Sequence, residues 1–171
     1  MVTARPRRVI VGTNDDGLSR VVDDGATMAR TVRPSGAVVH EVWRQEHLPA
    51  HPADDGSHTG EMEPNPPVKG ITIRSFTVPP DVDPEVAAYA ESTWARTGAG
   101  EPILALTAPQ MHRTNNVFVA TVLSGAAYLV LESEEVLLRQ GDSFVIPGSM
   151  HSWRNPFDVE ATMVSTVFGQ V

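Results

Sequence analysis

From residue 102 to its end the chain breaks into short apolar runs separated by polar or glycine-bearing turns, a pattern that only a β-rich fold accommodates. The runs cover 103–107, 117–123, 126–131, 135–138, 143–146, 150–153 and 159–167. So many short strands with turn residues between them point to a sheet closed on itself as a barrel. His112 and His151 fall at strand ends within this region. Strand ends meet at a barrel's mouth, which makes the two histidines the first candidates for chemistry.

The first hundred residues read as further strands, one loop and one helix. A strand at 8–12 (RVIVG) leads through the turn NDDG at 14–17 into a second strand at 19–22, and DDG at 23–25 reads as another turn. Asp and Asn cap turn backbones locally and Gly accepts positive φ, which is why such clusters favour tight turns. A longer strand at 37–45 alternates, with Val38, His40, Val42 and Arg44 on one face and Val39, Glu41 and Trp43 on the other. Residues 47–70 hold too many Pro, Gly and Asp for a packed element and read as a long surface loop. Its His47, His51 and His58 match no rigid ligand spacing and read as solvated side chains. A strand at 71–78 ends at Pro79 and Pro80. Asp83 as a cap, Pro84 in the first turn and Gly98 at the end then specify one short helix. Val86, Tyr89, Ala90 and Trp94 form the stripe that packs it on the barrel wall.

Composition narrows the function. A chain of 171 residues supports one well-buried core, so a single domain over 1–171 is expected. A net charge of -8 argues against a nucleic-acid partner, since phosphate binding needs clustered Lys and Arg. Arg5, Arg7 and Arg8 make the one basic cluster, at what reads as a solvated terminal tail. The absence of cysteine removes disulfides, thiolate ligands and a Cys nucleophile. No apolar run approaches a membrane span, so no membrane partner and a cytoplasmic location are expected. No G-x-S-x-G elbow, phosphate loop or dinucleotide fingerprint is present.

Gly141, Gly148 three residues before His151, and Asn155 four after it reproduce most of a G-x5-P-x-G-x2-H-x3-N pattern, one residue short between Gly141 and His151. Counting back from Gly125, His112 occupies the first histidine position of G-x5-H-x-H-x3-4-E-x6-G, while Thr114 stands at the second and Phe118 at the carboxylate. With these motifs, residues 104–168 resemble the cupin superfamily in its small single-domain, conserved-barrel form. The resemblance implies an all-β, jelly-roll-like barrel that residues 1–103 complete. It also implies a metal site here stripped of two of its four usual ligands.

In an extended strand His112, Thr114, Asn116 and Phe118 point to one side and line the barrel together. Two imidazoles leave a divalent ion mostly to water, so any Fe, Zn, Mn or Ni is expected to bind weakly, with Asn116 or Glu41 as further oxygen donors. Phe118 in a ligand slot and Trp153 two residues past His151 make the cavity apolar, and Trp43 or Arg44 adds a wall, one of them facing inward. The resemblance then implies a tailoring enzyme acting on an apolar or aromatic, polyketide-like small molecule by cyclisation, dehydration, isomerisation or decarboxylation. In that reading His112 and His151 are the acid–base pair or residual metal ligands, Thr114 and Asn116 orient polar groups, and Phe118, Trp153 and Trp43 hold the hydrocarbon. Two other readings stay open, a metal-dependent oxygenase and a non-catalytic ligand-binding barrel. A homodimer paired through edge strands is expected by the same resemblance.

Overall fold

The computed structural model describes residues 5–33, 35–57, 60–81, 101–102 and 111–170. Every element among them is a strand: β1 (Arg7–Thr13), β2 (Ser19–Ala26), β3 (Arg30–Val32), β4 (Val38–Gln45), β5 (Ile71–Val78), β6 (Glu101–Pro102), β7 (His112–Arg113), β8 (Val117–Ser124), β9 (Ala126–Val130), β10 (Glu135–Arg139), β11 (Ser143–Pro147), β12 (Ser152–Arg154) and β13 (Ala161–Phe168). The expected helix and the strand at 103–107 lie outside the described residues.

Two antiparallel sheets face each other. One has six strands in the order β11-β8-β13-β5-β4-β3, and the other has three in the order β10-β9-β12. A bridge between His112 and His151 ties β7, and through it β6, to the second sheet. The sheets share one core of Val78, Val122, Ala127, Leu129, Leu138, Ile146, Ala161 and Met163. β13 shows why: its burial alternates strictly, with Ala161, Met163, Ser165 and Val167 inward, as period-two side chains on a half-buried strand require.

Gly125 makes the corner where the chain leaves β8 for β9 and so changes sheets. Its φ is 72°, and a Cβ there would sit 2.6 Å from the Glu160 carbonyl oxygen. Both the left-handed backbone and the contact exclude a side chain. Gly125→Ala is expected to lower stability by about 2–3 kcal/mol in urea unfolding.

Three expectations need correction. The DDG at 23–25 is not a turn; it continues β2, where Asp24 pairs with Arg7 at 2.7 Å and Asp23 with Arg8 at 2.8 Å. Cross-strand ion pairing outweighs the local turn preference. For the same reason Arg7 and Arg8 are not a solvated tail. They belong to β1, and Arg8 is buried. Finally, β4 carries a bulge between Glu41 and Trp43. Its extra residue shifts the alternation, putting Arg44 on the face of Val39 and Glu41 and Trp43 on the face of His40.

The bulge decides what lines the interior. Val39, Glu41 and Arg44 lie opposite Phe76, Arg74 and Thr72 of β5, and Phe76 packs against the core. Arg74 donates from Nε and Nη2 to Glu41 Oε2, at 3.1 and 2.9 Å, with both residues buried. The same guanidinium donates to the carbonyls of Pro64 (2.7 Å) and Glu63 (2.6 Å). Arg44 reaches the Glu63 carboxylate at 2.8 Å and the Asn65 carbonyl at 3.4 Å. Met62 is buried with Ala29 and Val39. Part of the long loop is therefore a strap fastened to the inward face, while its His47 and His51 are exposed as expected and His58 is outside the described residues. Trp43 lies outside the barrel on Gly56, where it leaves no room for a Cβ.

Candidate functional site

His112 and His151 come together although 39 positions separate them. Their backbones form a reciprocal pair, each N–H donating to the other's carbonyl at 2.9 Å, which sets the two side chains on the same face of the sheet. The ring centroids are 4.5 Å apart at 49°. Trp153 follows on the same face and meets the His151 ring edge-on at 6.2 Å. It also packs against Phe76 at 5.9 Å and Phe144 at 5.5 Å, while Phe118 lies 5.7 Å from Phe76. The histidine pair thus borders an aromatic cluster that fills this part of the interior.

The two rings differ. His151 is buried and His112 half-buried. A carbonyl can only accept, so the 2.9 Å contact between His151 Nδ1 and the Ser149 oxygen fixes the proton on Nδ1 and leaves the lone pair on Nε2. Burial pushes the His151 pKa below that of an ordinary imidazole, partly opposed by the Ser149 hydrogen bond. A neutral ring with an aimed lone pair suits a proton acceptor or a ligand. Elsewhere, burial and then the charge of Arg74 lower Arg33 to about 10, which leaves it cationic at neutral pH.

The expected single strand from 112 to 118 is broken. β7 ends at Arg113, the chain bends at Asn115 and Asn116, and Phe118 belongs to β8, opposite Ile146. Consecutive Asn residues favour such a bend because their side chains compete for the backbone. Thr114 and Asn116 therefore occupy the bend and not the His112 strand, both half-buried. Phe118 and Trp153 pack against the core. Trp43 is outside, and Arg44 is the residue of that pair that faces inward. Glu41 is engaged with Arg74.

Among the described residues no three His, Cys, Asp or Glu side chains gather closely enough to hold an ion. Two imidazoles without a carboxylate do not fit a tightly held divalent metal. Arg74 and Met62 went unrecognised in the sequence as interior residues, and Glu41, expected as an oxygen donor to a metal, is instead the partner of Arg74. The available signal was parity: Arg74 shares its strand face with Phe76 and Val78.

Residues 105–167 match the family model described as a cupin domain. The chain carries a cupin domain. Together with β3, β4 and β5, which precede that segment, it forms the all-β cupin barrel. No curated protein matches the chain. Solved structures similar to it include a protein assigned to ethanolamine utilization from Salmonella typhimurium LT2, at 12% identity, 98% of each chain and a TM-score of 0.49. The Schizosaccharomyces pombe Cnp3 cupin domain matches at 10% identity over 97% of this chain and 89% of its own, TM-score 0.48. A cupin 2 conserved barrel domain protein from Salinispora arenicola CNS-205 matches at 16% over 81% of each, TM-score 0.44. No helix among the described residues is long and apolar enough to cross a membrane.

Proposed function

We propose that this cupin barrel is a small-molecule tailoring enzyme that moves a proton on an apolar or aromatic, polyketide-like substrate. The observation that carries the reading is the His112–His151 pair set against Trp153, with the His151 proton fixed on Nδ1. His151 Nε2 takes the proton from an acidic carbon or hydroxyl, and the half-exposed His112 returns one to the new site. Cyclisation, dehydration, isomerisation and decarboxylation of carbonyl compounds all pass through an enol or enolate, so one such pair serves each of them. Trp153 supplies the flat apolar wall against which a conjugated substrate stacks. The donor set among the described residues does not fit a metal, so the proton transfer rests on the two imidazoles.

The test uses solvent-deuterium exchange into a panel of enolisable aryl ketones and fused-ring β-keto compounds, followed by mass spectrometry. Wild type is expected to accelerate exchange for at least one probe. His151→Ala is expected to cost about 10²–10⁴-fold, the usual weight of a positioned acid or base. The His112–His151 backbone pair survives either alanine, so loss of exchange with an intact fold reports the imidazole. The rate is expected to rise with pH through a midpoint below the ordinary imidazole value of 6.5, because the base works only when neutral. Undiminished exchange in the His112→Ala, His151→Ala double variant overturns the proposal. Tight probe binding with no catalysed exchange also overturns it, in favour of a non-catalytic binding barrel.

A further inference from the structure

Three of the four buried side-chain atoms without a hydrogen-bond partner among the described residues are nitrogens on one side of the barrel: Arg8 Nε, Arg30 Nε and His40 Nε2. Arg30 and His40 are direct partners across β3 and β4, so their side chains stand beside each other on one face. That face is the outer one, which His40 shares with Trp43. His40 is nevertheless only 1% exposed, because the start of the chain lies over it. Thr27, one residue past β2, meets His40 Nδ1 through Oγ1 at 3.2 Å. Arg5 Nη1 donates to the Thr27 carbonyl at 3.4 Å and Arg8 Nη1 to the Val42 carbonyl at 3.5 Å. These contacts form a joint between the barrel and the β1–β2 ribbon, which pairs with no other sheet among the described residues.

The joint holds donors and positive charge without matching acceptors. Arg7 is matched by Asp24, and Arg8 by Asp23 with Asp55 nearby. Arg5 and Arg30 enter no ion pair among the described residues. Burial, then the charges of Arg30 and Arg5, lower the His40 pKa, which keeps the ring neutral at neutral pH. With Thr27 Oγ1 donating to Nδ1, Nε2 carries the proton and is one more donor without an acceptor. A buried donor left unpaired destabilises the fold, and two unmatched guanidiniums beside it repel each other. Both penalties are removed by an anion with two charges and more than two acceptor oxygens. A phosphate group has about -1.5 to -2 charges and three or more such oxygens, whereas a carboxylate offers one charge and two.

We infer that the joint between the β1–β2 ribbon and the outer face of β3–β4 is a phosphate-binding site, with Arg5, Arg30 and His40 Nε2 as its donors. Strand pairing does not hold the ribbon to the barrel, so the ribbon lifts to admit the ion beside the exposed Arg5 and is then tied down by it. Calorimetric titration of the full chain with inorganic phosphate, at ionic strength fixed with sodium chloride, tests it. One phosphate per chain is expected, and at ten times the dissociation constant the unfolding midpoint is expected to rise by about 3–5 °C over chloride alone. Arg30→Met is expected to weaken binding about tenfold or more. Its midpoint in chloride is expected to stay level or rise, because the orphaned donor is gone; a merely structural arginine would lower it. Arg5→Gln, at an exposed position, is expected to weaken binding about fivefold, and Arg7→Gln to leave it unchanged. Methyl phosphate separates the two sources of the group: binding as tight as the free ion's supports an organic phosphate as the ligand, and exclusion supports the free ion. No phosphate binding above chloride, acetate binding as tightly as phosphate, or equal weakening by the Arg5 and Arg7 variants each overturns the inference.

Discussion

Arg74→Met is expected to cost about 3–5 kcal/mol of unfolding free energy, the range for removing one partner of a buried ion pair. Arg74 is the hub of the inward face, holding the fully buried Glu41 carboxylate and the carbonyls of Glu63 and Pro64. Methionine replaces its aliphatic stem but supplies none of its donors. The carboxylate is left buried without its guanidinium, and the two carbonyls lose their donor. A domain is stable by only about 5–15 kcal/mol, so the variant will be close to unfolding at 37 °C. Glu41→Gln added to Arg74→Met is expected to recover part of the loss, because the orphaned charge accounts for most of it. Urea unfolding of the four members of this cycle measures the coupling. Equal stability of wild type and Arg74→Met means that the pair and the strap carry no net weight in the fold.

Asn155→Ala is expected to cost about 3 kcal/mol or more, through buried polar groups left without partners. Asn155 is fully buried. Its Nδ2 donates to the carbonyls of Val78 (2.8 Å) and Val159 (3.0 Å), and its Oδ1 accepts the Phe157 N–H at 3.0 Å. One amide thus joins the end of β5 to the turn that launches β13. Asp81 holds the backbone of the same residue, its Oδ1 accepting the Asn155 N–H at 2.6 Å. Asn155→Asp tests the donor side alone, since a carboxylate still accepts from Phe157 but cannot donate to the two carbonyls. It is expected to be nearly as destabilised as the alanine variant. Differential scanning calorimetry reads both; a change of less than a degree in either midpoint contradicts the assignment.

What the sequence made legible was local chemistry, or chemistry fixed by motif spacing. Gly125, Gly141 and Gly148 marked turns, and all three have positive φ. The match of His112 and His151 to ligand positions of the family motifs pointed to a shared site, and the two backbones are paired. The errors came from pairing between distant strands. Nothing within 23–25 shows that two aspartates face two arginines of β1 instead of capping a turn. Nothing within 37–45 shows the bulge, since an inserted residue is defined only against the strand it fails to match. That one residue reversed the reading of Trp43 and Arg44. Asn115 and Asn116 were visible, but the expectation of a continuous strand overrode their preference for bends.

The strap's attachment has a consequence for how this barrel can vary. Arg74 grips it by the carbonyls of Glu63 and Pro64, and Arg44 adds that of Asn65. Main-chain oxygens are the same whatever side chain they accompany. At 64 and 65 the clasp therefore reads the path of the chain and is nearly blind to its spelling, whereas at 62 and 63 the Met62 side chain and the Glu63 carboxylate are themselves held. Libraries randomised at 64 and 65 should keep the strap seated, whereas adding or deleting a single residue there would slide the carbonyls out of reach.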